Sequence, residues 1–224
     1  MPLTIRPVTN NDAPKLAHIM CEAFNSNTIH TAMFPTENKP ALETFFTEKE
    51  LHNINSPKHT VLALCDDTLD DGGGEIVAYI TWVTPLKHLV LDSNQTGENV
   101  QQQHVSGGLA PPPGTNQALS DQMRDSRNEM KARYYRAKED YLLSLIATHP
   151  DHRNRGCGSL LLKACIEAAE KVNARIYLHA SEEAYSLYRK HGWNEVDRFV
   201  LNVGDDLDAT MFAMIRDSAS TTSV

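Results

Sequence analysis

The chain has 224 residues, of which 41% are hydrophobic and 22% charged, and its net charge is −8. That balance excludes a disordered or fibrous chain and a non-specific duplex binder, whose affinity would come from neutralising phosphates. A chain this long fits one domain and buries roughly 70% of the surface its unfolded form exposes.

In chain order, "LTIRPV" at positions 3–8 alternates like a strand, and "NNDAPKLAHIMCEAF" places polar caps before Leu16, Ile19, Met20 and Ala23 at helical spacing. A second helix is expected in "KPALETFFTEKELHNI", with Pro40 in its first turn. "HTVLALCDD" and "EIVAYITWV" read as two strands joined by the turn "DDTLDDGGG", hence a hairpin. Residues 92–118 are Gln-, Gly- and Pro-rich with almost no apolar content, and are expected to form a mobile surface insertion. They lead into "LSDQMRDSRNEMKARYYRAKED", where Leu119, Met123, Met130 and Tyr134 share one helical stripe. This is either a solvated helix packing one face on the domain or a lid over a substrate site.

"YLLSLIAT" then reads as a central strand, "HPDHRNRG" as a turn and "CGSLLLKACIEAAEKVNA" as a helix. "RIYLHA" is a strand, "SEEAYSLYRKHG" a helix capped by Ser181, and "WNEVDRFVLNV" with "ATMFAMIRD" a closing antiparallel hairpin. The fold class is α/β (α+β): one domain with a mixed, mostly antiparallel sheet flanked by helices, spanning 1–224 with a polar insertion and extra helix at about 86–135. Cys21, Cys65, Cys157 and Cys165 are scattered through these elements, and no signal peptide or long apolar span is expected before or between them. They are expected to be free thiols in a reducing, cytoplasmic compartment, with no membrane association.

The turn "RNRGCGSLL" carries the chemistry. Gly156 and Gly158 remove side chains where a helix begins, so free N–H groups can approach an anion, reinforced by the helix dipole. Arg153 and Arg155 add donors suited to phosphate oxygens. No Gly-Lys-Ser/Thr follows, which excludes a Walker loop. Leu161 stands where a dinucleotide fingerprint needs a third glycine, and no acidic residue ends the next strand. What remains is R-x-x-G-x-G. His149, Asp151 and His152 lack a fourth ligand elsewhere and read as polar loop residues, with no metal expected. Cys157 has no His–Asp pair to activate it and reads as a small residue filling the turn.

Strand, R-x-x-G-x-G, helix, strand and "SEEAYSLYRKHGW" together resemble the GNAT acetyltransferase superfamily. The second motif of that family, N-x-x-A-x-x-L-Y-x-x-x-G-F, is matched by Ser181, Ala184, Leu187, Tyr188, Gly192 and Trp193, with Ser for Asn and Trp for Phe. The resemblance implies acetyl-CoA as acetyl donor. Its pyrophosphate would lie on the turn Arg153, Asn154, Arg155, Gly156, Cys157, Gly158 and Ser159, and its pantetheine arm along Leu145, Ile146, Ala147 and Thr148. Ser181, Ala184 and Tyr188 would complete the site. Tyr188 is implied as general acid for the departing thiolate, since a phenol near ~10 can protonate a thiol near ~8.5; Tyr185 is its competitor.

Family members often carry the base at positions that are Leu142 and Ser144 here, and only Ser144 could hold a relay water. Asp140, Glu139, His179, Glu22 and Glu37 are the other candidates. The acceptor site would draw on Phe24, Met33 and Phe34 with Glu22 and Glu37. Three readings stay open: transfer to a small primary amine or polyamine-like metabolite in a ternary complex, transfer to a protein lysine or N-terminus, and acyl-CoA binding without catalysis. No nucleic-acid partner is expected.

Overall fold

The computed structural model describes residues 3–34, 38–69, 74–89, 109–204 and 206–218. Strand β1 (Leu3–Pro7) is followed by helices α1 (Ala13–Phe24), α2 (Thr28–Met33) and α3 (Lys39–Asn55), then by β2 (His59–Asp66) and β3 (Glu75–Val83). Helix α4 (Gln117–Tyr134), β4 (Tyr141–Thr148), α5 (Cys157–Glu170), β5 (Ile176–Ser181), α6 (Glu182–Lys190), β6 (Asn194–Gly204) and β7 (Leu207–Arg216) complete the chain. One seven-stranded sheet runs β1-β2-β3-β4-β5-β7-β6, and only β4 and β5 are parallel neighbours.

Alternation puts the two faces of this sheet under different helices. Leu143, Leu161, Leu162, Leu178 and Trp193 belong to the core beneath α5 and α6. On the opposite face, α1 and α3 bury Leu16, Ile19 and Phe46 against Ala63 and Tyr79, and α2 and α4 bury Met33, Leu119 and Met130 against Tyr177 and Leu201.

The sequence gives no periodic signal for α2, whose six residues make fewer than two turns; only Asn27, whose side chain accepts the His30 N–H at 3.0 Å, marks its start. Asn38 caps α3 and Asn116 caps α4 in the same way. Of the insertion, residues 90–108 lie outside the described residues, as do 70–73 of the first hairpin. The expectation of a mobile segment through position 118 fails at its C-terminal end: Pro112 is buried, the Asn116 N–H donates to Met33 O at 2.8 Å, and α4 begins at Gln117.

Candidate active site

The sheet opens at its centre. β4 pairs β3 from Leu142 to Thr148, and β5 pairs β7 from Ile176 to Ser181, yet β4 and β5 pair only over Tyr141–Leu143 and Ile176–Leu178. Beyond Leu143 the facing edges part, leaving the β4 edge over Ser144–Thr148 without a strand partner on that side. Ser144 is the extra residue of a bulge, since Thr81 pairs Leu145 and Trp82 pairs Leu143. A cavity of about 1990 Å³ follows this opening, from the turn after β4 to an inner chamber under α2, α3 and α4.

At the outer end, Asn154 (φ 60°) and Gly156 (φ 80°) are both left-handed. A Cβ on Gly156 would meet nothing within 4 Å, so this glycine serves the backbone conformation and leaves space open before it. Gly158 differs: a Cβ there would make ordinary contact, 3.4 Å from Leu187 Cδ2 and 3.9 Å from Ile146 Cδ1, where α5 crosses β4 and α6. The first helical bond of α5 runs from Leu160 N–H to Gly156 O, which leaves the N–H groups of Cys157, Gly158 and Ser159 without an intrahelical acceptor. No side chain caps that end, in contrast to α2, α3 and α4. Ser181 holds the N-cap position of α6, but its hydroxyl makes no capping bond, contrary to the expected cap, and it lines the cavity with Ala184.

The two arginines separate. Arg153 is exposed, lines the cavity and donates to Ala23 O at 2.6 Å. Arg155 does not line it: its guanidinium binds Asp66 Oδ2 at 2.5 Å and meets His152 Nδ1 at 2.7 Å. Thr68 and Arg155 hold the Asp66 carboxyl down to about 2. The expectation that both arginines offer side-chain donors to phosphate is corrected for Arg155, whose charge is already matched. Asn154, Gly156, Cys157, Gly158 and Ser159 all line the cavity, as do Leu145, Ile146, Ala147 and Thr148.

Tyr188 lines the middle of the cavity, stands edge-on to Trp193 and has no hydrogen-bond partner for its hydroxyl among the described residues. Burial pushes its phenol well above the usual range, so it keeps its proton at neutral pH. Tyr185 instead donates to Glu195 Oε2 at 2.9 Å, away from the cavity. Ser144 is exposed in the opening and donates a long 3.4 Å bond to Leu142 O.

Most of the anticipated bases lie elsewhere. Asp140 is fully buried and accepts from Arg136 and Arg175; Glu139 pairs with Arg136, and Glu22 with Lys39. None of these lines the cavity, and Glu37 lies outside the described residues. His179 does line it, meets the Tyr177 hydroxyl at 2.9 Å, and is pushed down to about 3 by burial and then by Arg127 and Lys131. It is therefore neutral at pH 7 and a weak base.

Glu50 went unnoticed in the sequence. It is 1% exposed, lines the chamber, and accepts from Tyr79 Oη at 3.0 Å and Asn53 Nδ2 at 3.1 Å. Burial raises its carboxyl above the usual range. Its neighbours on α3 are charged as well, so nothing in the local pattern separates it from a solvated residue. Lys49, Arg127 and Lys131 face the same chamber, against the aromatic wall of His30, Phe34, Phe45 and Phe46.

Around the turn, His149 Nδ1 accepts the Asp151 N–H at 3.4 Å, and Cys157 is buried with its Sγ 3.5 Å from His152 O. Among the described residues no cluster of His, Cys, Asp or Glu is placed to hold a metal ion, and no helix is long and apolar enough to cross a membrane.

Residues 128–195, from within α4 to the start of β6, match the family model of the acetyltransferase (GNAT) domain. Among solved structures, the chain is similar to the histone acetyltransferase HPA2 and related acetyltransferase from Corynebacterium glutamicum, at 22% identity and a TM-score of 0.60 over 98% of both chains. The PaiA N-acetyltransferase from Thermoplasma acidophilum, in complex with coenzyme A, has 13% identity and a TM-score of 0.57 over 97% of this chain and 99% of that one. The ribosomal-protein-S18-alanine N-acetyltransferase from Escherichia coli has 16% identity and a TM-score of 0.55 over 100% and 99%. No curated protein sequence matches the chain. These structures, all below 25% identical, share the fold. The whole chain thus shares the fold of acetyltransferase structures, and its central part matches the GNAT family model.

Proposed function

We propose that this protein transfers the acetyl group of acetyl-CoA to the primary amine of a small molecule, by direct attack with both molecules held in one cavity. The observation that carries this reading is continuity. A single cavity joins the uncapped start of α5, the unpaired edge of β4, the Tyr188 side chain and a chamber walled by α2, α3 and α4.

The residues fit the donor: the space in front of Gly156 is open, and three helical N–H groups have no acceptor within the helix. Cys157, Gly158 and Ser159 bind the phosphates through these groups, with Arg153 adding charge and Asn154 shaping the turn. Leu145, Ile146, Ala147 and Thr148 orient the pantetheine arm through the free strand edge, and Ser181, Ala184 and Tyr188 close over it from α6. When bound, acetyl-CoA supplies an acyl carbonyl and a thiolate leaving group. Tyr188 Oη gives its proton to the departing sulfur. Ser144 Oγ, on the bulge, relays the proton of the incoming amine, and Glu50 is the carboxylate the chamber offers to receive one. The four buried free thiols suit a reducing, cytoplasmic setting.

Two of the similar structures are named for protein acceptors, so the test includes them. Acetyl-CoA is titrated calorimetrically against the protein, with NAD and ATP as controls, and free thiol is then followed with small amines and with peptides. Selective binding with thiol release for small amines supports the reading. Release with peptides alone would move the acceptor class, and binding without release would leave an acyl-CoA-binding module. No binding of acetyl-CoA would overturn the proposal.

A further inference from the structure

The inner chamber carries a charge imbalance that acetyl transfer by itself does not require. Arg127 and Lys131 lie one turn apart on α4 and project into the cavity, which Lys49 enters from α3. Arg127 is central, since its charge acts on Lys49, on Lys131 and on His179. The Arg127 Nε is buried and has no hydrogen-bond partner among the described residues. None of the three cations forms an ion pair within 4 Å with a described residue; Lys49 feels the charge of Glu50 and has its Nζ 5.6 Å from the Phe46 ring.

The groups facing them offset only part of this charge, through Glu50 acting on Lys49. Glu50, the neighbouring carboxylate, is already bonded to Tyr79 and Asn53. His30 and His179 are neutral at pH 7, and the Tyr177 and Tyr135 phenols keep their protons. Elsewhere the protein neutralises its half-buried arginines, as Asp66 does for Arg155 and Asp140 for Arg175. Lys49 is exposed, but Arg127 and Lys131 are half-buried and the Arg127 Nε is covered, so an anion entering with the ligand would stabilise them.

We propose that the acceptor is a small amine that also carries an anionic group, a carboxylate or a phosphate, and that Arg127, Lys49 and Lys131 hold that group. The amine then points back toward the open β4 edge at Ser144. Arginine suits this task because its planar fork binds either oxyanion in two-point fashion. The inference rests on the small-amine reading above and narrows it: it disfavours diamines and polyamines, whose second cation would meet three like charges.

The test uses the full chain loaded with acetyl-CoA or, for binding, CoA. Length-matched amines ending in carboxylate, phosphate, amide or a second amine are compared by calorimetric binding and by thiol release. The carboxylate or phosphate members are expected to exceed the amide and the diamine by at least about tenfold in kcat/KM, and the better of the two names the anion. Arg127→Gln should remove most of that preference, and Arg127→Lys should recover part of it, with acetyl-CoA affinity unchanged in both. Lys131→Gln, on the same face, gives an independent second reading. Equal or better use of the amide or diamine, an undiminished preference in Arg127→Gln and Lys131→Gln, or binding of none of the anionic amines would each overturn the proposal. Use of acidic peptides in place of the free anionic amines would overturn it too. Failure of the wild-type protein to bind acetyl-CoA would instead strike the proposed function itself.

Discussion

Gly156 and Gly158 stand two positions apart and answer to different constraints. At φ 80°, any side chain at 156 is strained by about 1–2 kcal/mol, although the space around it is empty. Gly156→Ala is therefore expected to lower stability by roughly 1 kcal/mol and to weaken acetyl-CoA binding, because the N–H groups behind it lose their direction. At 158 an added Cβ makes ordinary contact with Leu187 and gains helix propensity, so Gly158→Ala should stay within about 0.5 kcal/mol of the parent. Urea midpoints and calorimetry on the two variants separate these effects; equal responses would remove the distinction. The two tyrosines of α6 offer a parallel contrast. Tyr188→Phe should cut kcat by about 10²-fold or more with little change in acetyl-CoA affinity. Tyr185→Phe, which loses only a bond to Glu195, should keep its turnover. An unchanged rate in Tyr188→Phe would take that phenol out of the mechanism.

Between elements, Asp140 is the strongest polar tie. Its buried carboxylate accepts from Arg136 just after α4 and from Arg175 just before β5, and Arg175 also donates to Tyr134 O at the last turn of α4. This clamp fixes the end of α4 against the sheet, and with it the helix face that bears Arg127 and Lys131. Asp140→Ala leaves the half-buried Arg175 without its carboxylate, while Arg136 keeps Glu139, and is expected to cost about 2 kcal/mol, read as a lowered urea midpoint. A loss below about 0.5 kcal/mol would show that water replaces the carboxylate at no cost. Helix α4 is also where the two sequence expectations meet: it packs Leu119 and Met130 on the domain and lines the chamber with its other face.

For the molecule as a whole, stability should depend on pH in a defined direction. Burial holds His30 down at about 4 and His179 at about 3, against 6.5 for an ordinary imidazole. The unfolded chain therefore takes up protons first, and this stability is present above 6.5 and lost as pH falls through 4 and 3. Asp12, held near 2 by Arg6, and Asp66, held near 2 by Thr68 and Arg155, extend the loss below 3.8. Glu50 acts in the opposite sense, because its raised value makes the folded state gain as that carboxyl protonates. The thermal midpoint is expected to decline once pH drops below about 6.5, and less steeply in His179→Gln, where His30 alone of the two rings remains. A midpoint that stays flat from 6.5 down to 4 would contradict the burial of these rings. The sequence alone determined what short-range physics dictates: the order of the strands and of the helices other than α2, the two-glycine turn that opens α5, and the helix bearing Tyr188. Dihedral preference and apolar periodicity act over a few residues, so they are visible in a linear string. Only the tertiary structure decided which polar groups face the cavity. Arg155 turns to Asp66, 89 positions away, while Arg153 stays at the cavity. Asp140 becomes a clamp, and Glu50 reaches Tyr79 across 29 positions. The Lys49 and Arg127 side chains converge from helices distant in the chain. Burial and charge pairing depend on which segments pack together, and no local pattern carries that information.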